Sequence, residues 1–313
     1  MVNNIIQTYD LTKIYKLKGQ SKEICALNNV NINIEEGEIF GLLGANGAGK
    51  TTLVQILSTL LQPTSGYAII EGYNILKRSM EIKKRIGLML GSNLIYHRIT
   101  GYDNLKFFCK IYGIYDYKKK ISEITRDFQL EDWLNQYVEK YSLGMKIKLA
   151  LCRALLIDPK ILYLDEPTLG LDVSNRLFVI DKLKELKKTI LLTSHNMYVV
   201  EKLCKRIAFI NHGKILKIGN KDDLKRLMKS EITVIIDIID DKKQLKDELS
   251  KIDVIKEVTE SKNSLIITLK ERKAYQQLFS ILSKYPGIQK INEKEISLEN
   301  LFMNYMENEN ITQ

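Results

Sequence analysis

The sequence lacks several features that define common classes of protein. No stretch approaches the run of about 18 apolar residues that a membrane-spanning helix needs, and no basic segment followed by an apolar block resembles a secretion signal. The four cysteines are scattered without C-x-x-C spacing, and the chain has 3 histidines. These absences argue against a disulfide framework and a structural zinc site, and they favour a soluble chain in the reducing cytosol.

An excess of positive charge raises the question of nucleic-acid binding. The chain has 48 Lys and Arg against 38 Asp and Glu, a net charge of +10. The basic residues are spread along the sequence, with short runs such as residues 118–120, and no helix-turn-helix, RNA-binding or basic-zipper pattern accompanies them. A solvated surface, or one that faces an anionic membrane leaflet, is a simpler explanation. We therefore expect no nucleic-acid partner.

Length and composition predict two domains. The 313 residues exceed one average domain, and the 45% hydrophobic content is enough to build a core. Because the character of the sequence changes after Gly219, we place the domains at residues 1–220 and 221–313.

A glycine-rich segment predicts a phosphate-binding loop. Residues 44–52 read G-A-N-G-A-G-K-T-T, between an apolar run at 39–43 and a helix-like stretch at 53–57. This matches the pattern G-x-x-x-x-G-K-[ST] with a strand before it and a helix after it. Glycines let backbone N–H groups turn toward a phosphate, and the helix N-terminus adds its positive dipole end. A glycine-rich turn that binds nothing is the alternative, but the long pattern in its proper context favours a site for a nucleoside triphosphate.

Each residue of this segment is a candidate nucleotide contact. Lys50 would reach the β and γ phosphates, and Thr51 would place its hydroxyl on Mg²⁺. The full set is Gly44, Ala45, Asn46, Gly47, Ala48, Gly49, Lys50, Thr51 and Thr52.

Two further strand ends carry candidate catalytic residues. Residues 161–166 read I-L-Y-L-D-E, an apolar run that ends in two carboxylates, and residues 189–194 form a second run that ends at His195. Ligands of open α/β sheets bind at the carboxyl ends of strands, so all three side chains should lie near the phosphate loop. Asp165 is suited to hold Mg²⁺ and Glu166 to polarise the attacking water. Helix capping for the carboxylates, and a structural role for His195, are the alternatives.

The order of these and other motifs resembles that of the ATP-binding subunit of an ABC transporter, over roughly residues 5–219. Tyr15 precedes the phosphate loop, residues 141–145 read Y-S-L-G-M where the family has its L-S-G-G-Q signature, and residues 169–172 read L-G-L-D after the carboxylate strand. The resemblance implies a P-loop NTPase cassette of α/β class, with a parallel-sheet core, an antiparallel N-terminal β part and a helical subdomain at about 96–150.

The resemblance also implies roles for single residues. Tyr15 would stack on adenine, and His195 would sense the γ phosphate. In a head-to-tail homodimer, Ser142, Gly144 and Asp172 would act on the ATP held by the partner. The residues themselves support an anion site at Ser142, because a serine that caps a helix-competent run at 145–156 leaves a hydroxyl at a helix N-terminus.

The sequence departs from the family pattern in two places. The signature is degenerate, since Tyr141, Leu143 and Met145 replace Leu, Gly and Gln. In addition, the strand at 86–90 is followed by Gly91 where the family usually has a glutamine that positions metal and water. Asn93 could supply an amide instead, although a loop asparagine more often forms a turn. We expect the contact to be lost.

The helical subdomain is rich in aromatic residues. By default we expect most of them to lie in the core, and some to form a docking surface for a membrane subunit. They are Tyr96, Tyr102, Phe107, Phe108, Tyr112, Tyr115 and Tyr117.

Residues after Gly219 predict a small α+β domain. The periodicity gives the order β-α-β-β-α-β-α, which suggests a ferredoxin-like layer with an accessory or dimer-contact role. Residues 297–302, S-L-E-N-L-F, resemble the S-L-E-D-x-F ending of drug-export subunits of the daunorubicin-resistance type.

The expected function is therefore ATP hydrolysis that drives export of an unidentified substrate through a separate polytopic membrane subunit. The chain would lie on the inner face of the cell membrane through that subunit. An alternative from another class stays open: a regulator outside transport that uses ATP-driven dimerisation to switch a protein or nucleic-acid partner. Substrate specificity should reside in the membrane subunit, so this sequence does not identify the cargo.

Overall fold

The structure, a computed structural model, describes residues 3–16, 23–91, 95–227, 232–239, 242–261, 264–270, 273–293 and 297–311. The chain divides into two units, Met1–Lys221 and Asp222–Gln313. Among the described helices, none combines the length and apolarity that crossing a bilayer requires.

The first unit alternates strands and helices. Its strands are β1 Asn4–Lys16, β2 Glu23–Val30, β3 Asn33–Glu35, β4 Ile39–Leu43, β5 Ser65–Ile70, β6 Tyr73–Asn74, β7 Ile86–Leu90, β8 Ile161–Asp165, β9 Thr189–Ser194, β10 Arg206–Asn211 and β11 Lys214–Asn220. Its helices are α1 Lys50–Leu57, α2 Ser79–Lys83, α3 Gly101–Ile111, α4 Tyr117–Asp127, α5 Leu143–Leu155, α6 Val173–Glu185 and α7 Met197–Leu203.

A mostly parallel sheet forms the centre of this unit. In the described part of the chain its strand order is β11-β10-β4-β9-β8-β7, and each neighbouring pair from β10 to β7 is parallel. Strands β8 and β9 are buried along their whole length, as expected for apolar runs covered on both faces. Because β9 lies between β4 and β8, the phosphate loop and the two predicted catalytic strand ends reach the same edge of the sheet.

A second, antiparallel sheet is built from the N-terminal strands. Its order among the described residues is β2-β1-β5-β6, and β3 pairs with β1. The predicted combination of a parallel core with an antiparallel N-terminal part is confirmed.

Helices α3, α4 and α5 lie between β7 and β8 in the chain. Thr100 caps α3 by accepting from the Asp103 N–H, and Ser142 caps α5 by accepting from the Met145 N–H.

The expectation that the aromatic residues of the helical subdomain lie mostly in the core is wrong. None of the seven is buried, and four of them are more than two-fifths exposed. These are Tyr96 at 51%, Phe107 at 43%, Tyr112 at 45% and Tyr115 at 97%.

The second unit is a small α+β layer. The helix α8 Lys221–Leu227 precedes it, and its elements are β12 Ile232–Ile238, α9 Lys242–Leu249, β13 Ile255–Ser261, β14 Ser264–Leu269, α10 Ala274–Leu282, β15 Ile288–Glu293 and α11 Leu298–Ile311. The sheet order is β13-β14-β12-β15, antiparallel throughout the described pairs. Alternate residues of β12, beginning with Ile232, pack with α9 and α10 in one apolar core. The predicted fold class is confirmed.

Candidate functional site

The loop between β4 and α1 is held close to neighbouring strands. A Cβ added to Gly44 would lie 2.4 Å from the carbonyl oxygen of Ile210, and one added to Gly49 would lie 2.4 Å from that of Ala26. Gly49 also precedes α1 with φ of +107°, which a side chain rarely tolerates. These contacts explain why glycine is required at both ends of the loop. They also leave backbone N–H groups at the helix N-terminus, where an anion binds favourably.

The middle of the loop is open and its lysine is buried. Ala45, Asn46 and Gly47 are exposed, whereas Ala48 is buried against the protein. The Lys50 side chain is 6% exposed, and its Nζ donates to the carbonyl oxygens of Gly44 at 2.7 Å and Ala45 at 3.1 Å. The ammonium therefore lies inside the curve of the loop, where a triphosphate would bring negative charge.

Thr51 and Asp165 bring two oxygen ligands together. Thr51 Oγ1 donates to Asp165 Oδ2 at 2.7 Å, across 114 residues of sequence. Asp165 ends β8 and is 8% exposed. A hydroxyl and a carboxylate are the donors that Mg²⁺ prefers, so this pair fits the predicted metal site together with phosphate oxygens. Thr52, the next residue of α1, is half-buried.

Glu166 follows β8 in an unusual backbone conformation. Its φ is +51°, in the left-handed region, and its N–H donates to the carbonyl oxygen of Thr193 at 3.2 Å. Its side chain is 15% exposed, and Oε1 lies 2.9 Å from His195 Nδ1 and 3.6 Å from Lys50 Nζ. The carboxylate of Glu166, the predicted base, thus lies beside both His195, the predicted sensor of the γ phosphate, and Lys50 of the loop.

Two residues of this site escaped the sequence analysis. Thr193 Oγ1 donates to Asp165 Oδ1, and Ser194 Oγ lies 3.5 Å from Glu166 Oε2. Both belong to β9, which the sequence identified as a strand without assigning a role to its last side chains. Their position directly before His195, at the carboxyl end of a strand, is the signal that could have marked them.

The signature segment and Asp172 form a second group. Asp172 caps α6 by accepting from the backbone and side-chain N–H groups of Asn175, both at 2.8 Å, which holds the pKa of Asp172 below its ordinary value. The amide carbon of Asn175 lies 3.0 Å from where a Cβ on Gly144 would stand. The Asn175 side chain therefore packs against Gly144 at the start of α5 while it donates to Asp172.

This second group is separate from the phosphate loop within one chain. Among the described residues, no hydrogen bond or ion pair joins Ser142, Gly144 or Asp172 to residues 44–52. The Ser142 hydroxyl is a half-satisfied cap, since it accepts from Met145 N–H at 3.2 Å. Within one chain, the N-terminus of α5 therefore makes no described polar contact with the phosphate loop.

Tyr15 lies on the strand pair that borders the loop. Tyr15 pairs with Ile24 of β2. Two residues further along β2, the carbonyl oxygen of Ala26 lies against Gly49 of the loop. The ring of Tyr15 is partly exposed, and Lys13 Nζ lies 5.4 Å from the ring centroid. A planar base next to the loop could stack on this ring.

Gly91 occupies the position of the missing glutamine. Its φ is +54°, and its N–H donates to the carbonyl oxygen of Asp165 at 3.2 Å. The backbone at Gly91 thus contacts the end of β8 although no side chain is present. Asn93, which could have replaced the amide, lies outside the described residues.

Comparison with known proteins assigns the family. Residues 27–169 match the model described as ABC transporter, and residues 219–306 match the model described as ATP-binding protein DrrA1-3-like, C-terminal domain. The chain is 37% identical over 222 residues to the ABC transporter ATP-binding protein NatA of Bacillus subtilis (strain 168), covering 69% of this chain and 90% of that protein. It is 39% identical over 229 residues to the bacitracin transport ATP-binding protein BcrA of Bacillus licheniformis, covering 72% of each.

A solved structure is similar as well. The dimeric ATP-binding cassette MJ0796, in a post-hydrolysis state bound to ADP and Pi, matches with a TM-score of 0.63 and 26% identity. The match covers 69% of this chain and 98% of that one.

The parallel sheet, the phosphate loop and the carboxylates at its edge define an ATPase cassette. The chain belongs to the ABC transporter family, as an ATP-binding subunit that hydrolyses ATP to ADP and phosphate. The expectation of an ABC-type ATPase is confirmed.

Proposed function

We propose that this subunit powers export of a substrate through a separate membrane subunit. One observation carries the proposal: Lys50 and His195 both lie beside the carboxylate of Glu166, next to the hydrogen-bonded pair Thr51 and Asp165. This is a complete set of groups for hydrolysis of a bound triphosphate, in a family whose members couple that reaction to transport.

Each group has a task that its position supports. The Glu166 carboxylate accepts the proton of the attacking water, since its environment leaves it accessible at 15% exposure. The imidazole of His195 fixes the orientation of that carboxylate from the open side of the site. Lys50 offers its positive charge to the β and γ phosphates from the buried side.

Mg²⁺ would be held by Thr51 and Asp165. When bound, it would neutralise phosphate charge and orient the triphosphate for in-line attack. Tyr15 would stack on adenine at the other end of the nucleotide.

The second group of residues supports a homodimer. Ser142 and Gly144 stand at the N-terminus of α5, with Asp172 joined to them through Asn175. Because this helix end makes no described contact with the phosphate loop of its own chain, we assign its phosphate to the loop of a second copy. The similar cassette MJ0796 is itself described as a dimer.

An exposed aromatic patch supports a membrane partner. We define the aromatic patch as Tyr96, Phe107, Phe108 and Tyr112, whose rings contact one another with centroids 5.3–6.4 Å apart. Tyr96, Phe107 and Tyr112 are exposed, and Phe108 is half-buried. Mutually packed aromatic residues at the surface are typical of the centre of a protein interface. Through a polytopic subunit docked there, the chain would lie on the inner face of the cell membrane.

The direction of transport is inferred from the C-terminal unit and from relatives. Residues 219–306 match the DrrA-like model, and similar proteins include subunits named for bacitracin transport and for linearmycin resistance. These names favour export of a toxic compound. The alternative of a regulator outside transport gains no support from them.

Co-purification tests the proposal. The tagged chain should be recovered from detergent-extracted membranes together with a polytopic protein. Phe107→Ser with Tyr112→Ser should abolish this recovery, whereas Tyr9→Ser with Tyr67→Ser, at an exposed stacked pair on the N-terminal sheet, should not. Recovery with ribosomes or DNA, and absence from membranes, would contradict the proposal.

A further inference from the structure

The hydroxyl of Thr193 touches two consecutive site residues at once. Thr193 is the next-to-last residue of β9 and is fully buried. Its Oγ1 donates to Asp165 Oδ1 and accepts from the Glu166 N–H at 3.2 Å. One hydroxyl therefore connects the carboxylate of the metal site to the backbone of the base.

The two carboxylate oxygens of Asp165 have different partners. Oδ1 faces Thr193, and Oδ2 faces the Thr51 hydroxyl at 2.7 Å. A carboxylate held at one oxygen cannot rotate about its terminal bond without losing that hydrogen bond. Thr193 thus fixes the direction in which Oδ2 is offered to the metal position.

The contact with Glu166 holds a strained backbone. A glutamate with φ of +51° is disfavoured by its own Cβ, so surrounding contacts must maintain this conformation. The Glu166 N–H has two acceptors on Thr193, the carbonyl oxygen and Oγ1, each at 3.2 Å. The conformation directs the side chain to His195, 2.9 Å away.

We propose that Thr193 is a positioning residue for ATP hydrolysis, whose hydroxyl aligns the metal-holding carboxylate and the catalytic base as one unit. The inference rests on the proposed roles of Asp165 and Glu166. A valine has nearly the same shape as threonine but can neither donate nor accept. In that variant the Asp165 carboxylate keeps the hydrogen bond from Thr51 at Oδ2 but loses the one at Oδ1, and the Glu166 N–H keeps one acceptor instead of two.

The same strand provides a matched control. Thr189, at the beginning of β9, is also buried, and its hydroxyl accepts from the Gly37 N–H at 2.8 Å. Thr189→Val makes the identical chemical change at the opposite end of the strand. It measures what the loss of a buried threonine hydroxyl does to the protein when the site is untouched.

The experiment compares Thr193→Val, Thr193→Ser and Thr189→Val with the parent, and uses Glu166→Gln as the inactive reference. Four quantities are measured: kcat, KM for ATP, Tm, and the Mg²⁺ concentration that gives half-maximal binding of a fluorescent non-hydrolysable ATP analogue. Thr193→Ala replaces the valine variant if valine yields no folded protein.

For Thr193→Val we expect kcat to fall by about 10–100-fold, the usual effect of removing an outer partner of a metal ligand. The Mg²⁺ midpoint should rise several-fold, while KM changes by less than about threefold. Thr193→Ser should restore kcat and the Mg²⁺ midpoint, and Thr189→Val should leave both near the parent even where Tm falls.

A parent-like kcat and Mg²⁺ midpoint in Thr193→Val, with Glu166→Gln inactive, would overturn this inference and leave the proposed function standing. Failure of Thr193→Ser to restore either quantity would also overturn it, because the loss in Thr193→Val would then not be due to the missing hydroxyl. Full activity in Glu166→Gln would instead contradict the assignment of Glu166 as the base, on which the proposed function depends.

Discussion

His195 Nδ1 lies 2.9 Å from Glu166 Oε1, and the imidazole is 42% exposed while the carboxylate is 15% exposed. The histidine thus covers the base from the solvent side. When Nδ1 carries a proton, its N–H donates a hydrogen bond to the carboxylate, and this bond fixes the rotation of both side chains. Since Lys50 lies 3.6 Å from the same oxygen on the buried side, the base is held between a cation and an imidazole.

Glu166→Gln should abolish steady-state hydrolysis and preserve ATP binding. The substitution keeps the shape of the side chain but removes its ability to take a proton, so we expect a loss of about 10²–10⁴-fold in kcat. Phosphate release and binding of a fluorescent ATP analogue measure the two properties. Activity close to that of the parent would show that Glu166 is not the base.

Lys50→Ala should weaken nucleotide binding as well as catalysis. The buried ammonium is the cation at the loop, and hydrogen bonds to charged groups contribute about 1.5–3 kcal/mol, or roughly 10–150-fold in affinity. Lys118→Ala removes the same charge from an exposed position on α4 and should have no effect. Equal affinities of the two variants for a fluorescent ATP analogue would exclude Lys50 as a triphosphate contact.

Ser142→Ala should impair ATP-dependent dimerisation. In a Glu166→Gln background, where ATP persists, we expect the dimer seen by size-exclusion chromatography to weaken by about 10-fold or more. Thr100→Ala is the control, because it also deletes a helix N-cap in the same region. If both variants weaken the dimer equally, helix stability and not a phosphate contact explains the result.

Gly91→Gln should change the metal dependence of hydrolysis more than nucleotide binding. The restored amide could reach the metal or the attacking water. In the described part of the chain, apart from the two residues next to Gly91, no heavy atom lies within 4 Å of the position of a new Cβ. The left-handed backbone will cost about 1–2 kcal/mol of stability with any L side chain. Gly91→Ala carries the same strain without the amide. A Mg²⁺ midpoint for hydrolysis that is equal in both variants would show that the amide has no role here.

Thiol reagents should modify Cys25 first. Cys25 is exposed, whereas Cys109, Cys152 and Cys204 are buried. Burial raises the pKa of Cys109 to about 11 and raises the pKa of Cys152 and Cys204 as well, which suppresses their reactive thiolate forms. Titration of the native protein with a chromogenic disulfide should therefore release about one equivalent rapidly, and Cys25→Ser should remove that phase. Rapid labelling that persists in Cys25→Ser would indicate that a buried thiol opens to solvent.

The sequence predicted the elements that contain the site because their signals are local. Residues 39–43 form β4, and Ser142 caps α5, since an apolar run between turns and a serine before a helical run act within a few residues. The phosphate loop and the carboxylate pair follow from fixed spacings in the same way.

What the sequence could not supply is pairing across the sheet. Thr193 bonds to Asp165 because β9 lies beside β8, and Asn175 lies against Gly144 because α6 returns to the start of α5. Such neighbours depend on strand order and helix packing, which no short pattern specifies. The aromatic residues between positions 96 and 117 were wrongly expected in the core for the same reason. The sequence does not tell whether an aromatic ring is covered by the protein itself or by a partner.

The position of β9 between β4 and β8 has a consequence for biosynthesis. The ribosome makes β4 and the phosphate loop early and β8, which ends in Asp165, later. Strand β9, which must lie between β4 and β8, is made last. At rates of about 5–20 residues per second, the loop waits on the order of ten seconds before β9 can join the sheet. A nascent cassette therefore cannot complete its nucleotide site until residue 195 has emerged from the ribosome. Bound ATP can stabilise the folded cassette only in chains that have reached that length.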